Sequence, residues 1–123
     1  MIFSHDIIKN RILVFGSNGM LGQRTIKFFS KFPMIEILAS SVENQSLYNS
    51  DLIDCNYVKA DLTKREEVKN LILDFYPDII INAAAFTNVD LCETERELAW
   101  KINVKGIEYI SEAARIIDAH IIH

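Results

Sequence analysis

Short apolar runs alternate with helical patterns along the whole chain, and this alternation restricts the fold more than any other feature. Strands are predicted at residues 12–15, 35–39, 57–60 and 78–82, and another begins at residues 119–122. The first run is continuously apolar, as expected for a strand that is buried on both faces of a sheet. Strands that alternate with helices form βαβ units, in which the strands run parallel.

The predicted helices lie between these runs. Residues 20–31 predict one helix, one side of which carries Leu21, Thr25, Phe28 and Phe29. Capping boxes predict the starts of two more helices, at Thr63 and Glu66 and at Thr94 and Glu97. The last helix is long, and one of its faces is marked by Leu98, Ile102, Gly106, Ile110, Ala113 and Ile117. Right-handed crossovers favour a doubly wound parallel α/β sheet over residues 11–123, after an N-terminal tail of residues 1–10.

Composition limits the partners of the chain. Its 123 residues are enough for one domain, and 50% of them are hydrophobic. A net charge of −4 argues against nucleic-acid binding, which needs a basic surface. No apolar run approaches the roughly 20 residues that span a membrane, and the N-terminus lacks the features of a signal peptide. We therefore expect neither a nucleic-acid partner nor a membrane partner.

Cysteine and histidine usage predicts a reduced protein without a metal site. Cys55 and Cys92 lie far apart and lack CxxC spacing, which favours free thiols and a cytoplasmic location over a disulfide. His5 lies in the tail, and His120 and His123 lie in or beside the last strand. These spacings do not predict metal binding.

The segment GSNGMLG, residues 16–22, directly follows the first predicted strand and opens the first predicted helix. In this context a glycine-rich turn predicts a cradle for a pyrophosphate, and a purely structural turn is the alternative. Gly16 would permit the sharp turn, Gly19 would let the backbone approach the phosphates, and Gly22 would let the helix pack against the sheet. The N-terminus of the helix adds N–H donors. The candidate cofactor-binding residues of this turn are Gly16, Ser17, Asn18, Gly19, Met20 and Leu21.

The GxxGxxG spacing resembles that of the extended short-chain dehydrogenase/reductase family. A second segment, INAAAFTNVDLCETERELAWKINVKGIEYISEAAR at residues 81–115, is similar to the dTDP-4-dehydrorhamnose reductase branch of that family. In that branch an alanine triplet follows the fourth strand, and Thr-x-Val-Asp, an acidic helix start and Asn-Val follow in order. The resemblance covers residues 11–123. It implies the N-terminal portion of a reductase with a Rossmann domain, which is incomplete here and ends at the start of its fifth strand.

The resemblance also implies roles for residues beyond the glycine turn. Asp61 and Leu62 would lie along the adenine, although Asp61 beside Thr63 also suits a helix start. The small residues Ala83, Ala84 and Ala85 would leave room for the cofactor at the end of the fourth strand, and close helix packing would favour alanine as well.

Three further positions match the family pattern near the reaction centre. Thr87 and Val89 match positions near the sugar and the nicotinamide, so both are substrate-site candidates, and Thr87 is a candidate for catalytic support. An ordinary loop threonine and a core valine are the alternatives. Asn103 matches a helix asparagine that supports the active site, and it is a cofactor-site candidate.

The end of the second predicted strand bears on the choice of cofactor. NAD-specific proteins usually place a carboxylate there, on the ribose 2′-hydroxyl. Ser40 and Ser41 occupy this position, whereas Glu36 comes early and Glu43 comes late. Serine hydroxyls can bind a 2′-phosphate without repelling it. Ser40 is therefore a cofactor-binding candidate, and NADP is favoured, with NAD as the alternative.

No catalytic acid is predicted in this chain. The resembling family uses a Tyr-x-x-x-Lys pair, in which the tyrosine protonates the carbonyl oxygen and the lysine lowers its pKa. The residues four positions after Tyr48, Tyr57, Tyr76 and Tyr109 are Leu52, Asp61, Ile80 and Ala113, and none is lysine. The resemblance implies that this pair and the sugar-binding region lie beyond His123.

The leading functional hypothesis is reduction of the C4 ketone of a dTDP-linked deoxysugar with NADPH. The nucleotide-sugar substrate would bind the full-length protein. Sugar-nucleotide epimerases and dehydratases share the glycine motif but fit the segment around Thr87 and Val89 less well. Regulatory subunits of methionine adenosyltransferase resemble the same branch and bind a dinucleotide without reducing sugar, which is a non-catalytic alternative.

The end of the sequence predicts an exposed apolar surface. With the fifth strand barely begun, Ile116, Ile117, Ile121 and Ile122 would have no further strand or helix over them. We therefore expect self-association, a partner, or a C-terminal half that completes the fold.

Overall fold

The computed structural model describes residues 10–48, 53–84 and 95–123. The strands in these ranges are β1 (Asn10–Phe15), β2 (Ile35–Ser41), β3 (Asn56–Lys59), β4 (Ile79–Asn82) and β5 (His120–Ile122). They form one sheet in the order β3-β2-β1-β4-β5, and every neighbouring pair is parallel. The predicted parallel sheet is confirmed, and its strand boundaries differ only slightly from the expected ones.

Helices cover both faces of this sheet. They are α1 (Met20–Phe29), α2 (Arg65–Phe75), α3 (Arg96–Trp100), a π-helical segment (Lys101–Lys105) and α4 (Gly106–Ile117). Alternate side chains of β1 point to opposite faces. Leu13 and Phe15 enter a core shared with α2 and α4, whereas Ile12 and Val14 enter a core shared with α1. This arrangement confirms the doubly wound α/β fold.

The buried side of α1 is not the side that carries Leu21, Thr25 and Phe28. The buried residues of this helix are Gly22 and Ile26, whereas Leu21 and Phe28 are exposed. The helix turns its glycine inward because its first turn packs against the backbone that leaves β1, where no side chain fits. The helix also ends at Phe29, earlier than expected.

The predicted single long helix is interrupted. The π-helical segment separates α3 from α4. Leu98, the first residue of the predicted face, lies in α3 and is 40% exposed. The predicted face is correct only for α4, where Gly106, Ile110 and Ala113 are buried. A π turn widens the helix and rotates the face that follows it, and apolar spacing does not encode this change.

The predicted capping box at Thr63 and Glu66 is wrong. α2 has Lys64 at its N-cap, with no side-chain capping hydrogen bond. The amide and hydroxyl of Thr63 instead donate to Asp61 Oδ1, over 2.9 and 2.7 Å. The Asp61 amide donates to Glu67 Oε1 over 3.2 Å. Glu67, rather than Glu66, therefore accepts a hydrogen bond from a backbone amide that precedes α2. The second predicted box includes Thr94, which lies outside the described residues.

The isoleucines near β5 differ in burial. Ile116 and Ile122 are exposed, which confirms the expectation for these two. Ile121 is partly buried against the core, and Ile117 is buried in it. The exposed part of this surface does not include Ile117, because α4 directs this residue toward the sheet. None of the described helices is long and apolar enough to span a membrane.

Tyr48 ties the segment after β2 to the segment before β3. It is buried, and its hydroxyl donates to the Cys55 carbonyl oxygen over 2.7 Å. We expect Tyr48→Phe to lower the free energy of unfolding at pH 7 by about 1–2 kcal/mol, because the Cys55 carbonyl loses its donor. Urea unfolding measures this change, and Tyr76→Phe at an exposed position is the control.

The same variant tests a pH dependence. Burial raises the pKa of Tyr48. Unfolded tyrosine ionises near pH 10, so above about pH 10 the unfolded state loses a proton that the folded state keeps. The wild-type free energy of unfolding should therefore fall as the pH rises through this range, and less steeply in Tyr48→Phe. Equal slopes in the two proteins would contradict this assignment.

Candidate functional site

A cleft lies at the carboxyl ends of the parallel strands. β2 pairs with one edge of β1 and β4 with the other, so the order of the strands reverses at β1. Ligands of open α/β sheets bind outside the carboxyl ends of the strands at such a switch point. The cleft has a volume of about 470 Å³. Its described lining consists of Phe15, Gly16, Ser40, Ser41, Val42, Glu43, Ala60, Asp61, Leu62, Thr63, Ala84, Leu98 and Ile102.

Gly16 makes the sharp turn that leaves β1. Its φ is +72°, in the left-handed region that favours glycine. A Cβ here would lie 2.5 Å from the nitrogen of Ala84, which is backbone and cannot move aside as a side chain can. Both observations agree with the role that the glycine spacing predicts for this residue.

Gly19 lies at the N-cap of α1 and faces open space. Its backbone is extended (φ −73°, ψ 168°), and no side chain caps the helix there. A Cβ at Gly19 would meet only the Gly16 carbonyl oxygen, at an ordinary contact distance of 3.4 Å. The next residues, Met20 and Leu21, are exposed. The N-terminus of α1 is therefore accessible to a ligand.

Gly22 packs closely against the glycine turn itself. A Cβ there would overlap the Gly16 carbonyl oxygen and lie 2.7 Å from the Cα of Ser17. The neighbour of Gly22 is thus the turn that leaves β1, rather than the sheet that the spacing predicts. Gly22 holds the start of α1 close to the end of β1.

The Asn18 side chain joins the glycine turn to the segment after β2. Asn18 is buried, and its Nδ2 donates to Glu43 Oε1 and to the Gln45 carbonyl oxygen, each over 2.9 Å. Its Oδ1 accepts a hydrogen bond from the Leu47 amide over 2.8 Å. The side chain of Asn18 thus positions the segment that forms one wall of the cleft, and its contact with the cofactor stays a prediction.

The serines behind the turn are enclosed. The Ser17 amide donates to the Ser40 carbonyl oxygen over 3.0 Å. Both side chains are buried, and neither hydroxyl has a hydrogen-bond partner among the described residues. Ser40 lies in the wall of the cleft, but its hydroxyl does not face the opening. This burial does not favour the predicted contact with a 2′-phosphate. Ser41, Val42 and Glu43 present accessible atoms instead.

The opposite wall is formed by residues that follow β3. Asp61 and Leu62, which the resemblance predicts to lie along the adenine, both line the cleft. Burial raises the pKa of Asp61, but the two hydrogen bonds from Thr63 and the positive charges of Lys64 and Lys59 together outweigh it and lower the pKa overall. Asp61 therefore lines the cleft and also orders the start of α2. Leu62 is held by close packing, because a Cβ at Gly106 of α4 would lie 3.3 Å from the Leu62 Cβ.

The end of β4 closes the cleft near the glycine turn. The Ala83 amide donates to the Phe15 carbonyl oxygen over 2.9 Å, and the Ala84 amide donates to Asn82 Oδ1 over 3.1 Å. Gly16 packs against this backbone, so the two alanines lie beside the glycine turn at the end of β4. Of the other candidates, Ala85, Thr87 and Val89 lie outside the described residues.

Asn103 lies in the π-helical segment, beside Ile102 of the cleft lining. π-helical turns are rare and occur frequently at functional sites. Its location agrees with a supporting role near the cleft. No group of His, Cys, Asp or Glu side chains in the described parts of the chain is arranged to hold a metal ion.

Glu43 also lines the cleft, although the sequence analysis does not count it among the cofactor-binding candidates because it comes late after the second predicted strand. Its carboxylate accepts the hydrogen bond from Asn18, which lowers the pKa of Glu43 although burial opposes the change. The Glu43 carbonyl oxygen accepts a hydrogen bond from the Tyr57 hydroxyl over 2.6 Å. The available sequence signal was its position about 20 residues after the glycine motif, where dinucleotide-binding folds place a carboxylate.

Together, the doubly wound parallel sheet and the glycine turn at its switch point define a Rossmann-type α/β protein. The family model described as "RmlD substrate binding domain" matches residues 10–123. The chain belongs to this family, and the resemblance to the dTDP-4-dehydrorhamnose reductase branch is confirmed.

Individual relatives agree with this assignment. The dTDP-4-dehydrorhamnose reductase of Aggregatibacter actinomycetemcomitans is 33% identical over 113 residues, which cover 92% of this chain and 33% of the relative. The solved structure of a hypothetical dTDP-4-dehydrorhamnose reductase from Sulfolobus tokodaii has a TM-score of 0.73 at 37% identity, over 90% of this chain and 37% of that one.

A third relative was solved with a dinucleotide. The dTDP-4-dehydrorhamnose reductase of Bacillus anthracis, in complex with NADP, has a TM-score of 0.66 at 26% identity, over 93% of this chain and 35% of that one. The present chain thus spans about a third of the length of these relatives.

Proposed function

We propose that this chain is the dinucleotide-binding portion of an oxidoreductase of the dTDP-4-dehydrorhamnose reductase type. The parent activity is reduction of the C4 ketone of a nucleotide-linked deoxysugar. The cofactor is NADP, with NAD as an accepted alternative. The observation that carries this proposal is the open backbone of Gly19 at the N-terminus of α1, beside a cleft at the switch point of the sheet.

The residues of the cleft fit such a cofactor. The pyrophosphate suits the turn at Gly16 and Gly19, where helix N–H groups and the positive end of the helix dipole favour an anion. The adenine suits the surface of Asp61 and Leu62, which lies across the carboxyl end of β2 from the turn. The small side chain of Ala84 leaves room at the end of β4. When bound, the nicotinamide supplies a hydride to a carbonyl carbon.

Direct titration tests the proposal. Calorimetric titration of the purified chain with NADPH should give saturable binding with one site per chain. Titration with dTDP alone is the control for nucleotides that lack the nicotinamide half. Absence of NADPH binding at millimolar concentration, in a chain that is folded by circular dichroism, would overturn the proposal.

The chain alone should not turn over substrate. It contains no Tyr-x-x-x-Lys pair, and a positioned general acid contributes roughly 10²- to 10⁴-fold to a rate. Mixing the purified chain with NADPH and a dTDP-4-keto-6-deoxysugar should leave the NADPH absorbance unchanged over hours. Oxidation above the rate in buffer would contradict this expectation and would place an acid catalyst within these 123 residues.

A further inference from the structure

A second groove lies between α1 and the residues that lead from β2 to β3. Its volume is about 450 Å³, a size that accommodates a small molecule. None of its described lining residues belongs to the cleft at the carboxyl ends of the strands. The described lining consists of Gln23, Arg24, Lys27, Ser30, Lys31, Leu47, Tyr48 and Ile53.

Positive charge is concentrated on the α1 side of this groove. Arg24 and Lys27 are three positions apart on α1, a spacing at which Cβ atoms lie about 5–6 Å apart, and Lys31 follows four positions later. The described lining contains no acidic residue, although the whole chain has a net charge of −4. Residues 7–35 also contain no Asp or Glu. The groove is therefore a local basic site on an acidic protein.

The three cations have no carboxylate partner within the ranges that the structure describes. Arg24 and Lys27 form no ion pair there, and Lys31 Nζ lies over the Phe28 ring, 5.9 Å from the centroid. By contrast, Arg65 of α2 pairs with two glutamates. Like charges three or four positions apart destabilise a helix slightly. A bound anion would remove this repulsion.

Hydrogen bonds hold the two walls of the groove in place. The Asn18 carbonyl oxygen accepts a hydrogen bond from Gln23 Nε2, and Asn18 Oδ1 accepts one from the Leu47 amide, each over 2.8 Å. One residue thus connects α1 to the opposite wall. In that wall Tyr48 is buried, and its hydroxyl donates to the Cys55 carbonyl oxygen. A ligand would enter a groove whose shape is set before binding, which lowers the entropic cost of binding.

We propose that this groove is a second binding site, for an organic di- or triphosphate. The cations are spaced along α1, so they suit a ligand that carries several negative charges better than one that carries a single charge. Leu47 and Ile53 form an apolar surface opposite the cations, against which the organic part of the ligand packs. This site is separate from the proposed cofactor site and does not depend on it.

Titration of the wild-type chain with inorganic tripolyphosphate, followed by two-dimensional NMR, tests the charged half of the site. The amide signals of Arg24, Lys27 and Lys31 should shift and reach saturation at millimolar concentration. The affinity should fall steeply as the ionic strength rises, because salt screens exposed charges. Absence of saturable shifts at these residues, or an affinity that does not depend on salt, would overturn the proposal.

A pair of double variants tests the role of the cations. Lys27→Gln combined with Lys31→Gln should weaken tripolyphosphate binding by about tenfold, the order expected for the loss of two exposed charge contacts. Lys69→Gln combined with Arg115→Gln is the matched control. It removes the same charge from α2 and α4, which pack on the other face of the sheet, and should leave the affinity unchanged. Equal affinities of the two double variants would contradict the proposal.

Gly19→Val separates this groove from the glycine turn, which can also attract phosphate. Gly19 is not part of the described lining of the groove, so tripolyphosphate should shift the Lys27 and Lys31 signals of this variant with the affinity of the wild type. If Gly19→Val abolishes these shifts, the anion lies on the turn and the second site does not exist.

Discussion

Gly22→Ala should unfold or severely destabilise this protein. The added Cβ would overlap the Gly16 carbonyl oxygen and lie 2.7 Å from the Cα of Ser17, and both neighbours are backbone. Relief of the overlap requires α1 to move away from β1, which would open the core around Ile26 and Val14. We expect a loss of about 3 kcal/mol or more, a large fraction of the stability of a small domain.

Urea unfolding followed by circular dichroism measures this loss, and Gly19→Ala is the matched control. Gly19 belongs to the same turn, but its φ of −73° suits alanine and a Cβ there meets only one atom, at 3.4 Å. The control should lose about 1 kcal/mol or less, the difference between glycine and alanine at an N-cap. Equal stability of Gly22→Ala and Gly19→Ala would show that Gly22 does not pack closely against the turn.

These two glycines show what the sequence could predict. The spacing identified three glycines between a strand and a helix, and the strand and helix were found where local patterns placed them. Apolar runs and helical patterns are local features of the sequence, and their alternation along the chain predicts the parallel sheet. The choice of which side of α1 is buried is not determined by the local sequence. It depends on the close approach of Gly22 to the turn, which places Leu21 and Phe28 on the exposed side.

The walls of the cleft were less predictable. The segment after β2 has no periodic pattern, and the hydrogen bond that fixes it joins Asn18 to a residue 25 positions away. Such a contact exists only once the sheet has formed. Ser40 is a candidate because it lies at the end of the second predicted strand, yet in the structure its side chain is buried and β2 continues to Ser41. The π-helical segment was missed for a similar reason, since a single wide turn leaves the apolar spacing almost intact.

The second large effect concerns binding rather than folding. Gly19→Val should weaken NADPH binding by about a hundredfold or more, while the chain stays folded. Valine favours extended backbone, and Gly19 has extended angles, so the fold tolerates the substitution. The branched side chain would project into the space at the N-terminus of α1, where a phosphate must approach the N–H groups directly.

Calorimetric titration of wild type, Gly19→Ala and Gly19→Val with NADPH provides a graded series, with a thermal melt of each variant to confirm folding. Alanine adds one methyl group and should weaken binding less than valine does. The order of the three affinities matters more than any single value. If the affinity falls as the side chain at position 19 becomes larger, while stability stays constant, the ligand contacts the backbone at Gly19. If Gly19→Val binds NADPH as tightly as the wild type, the phosphate does not lie on this turn. Gly19 would then belong to a turn with a structural role only, and the ligand of the cleft would be something other than this dinucleotide.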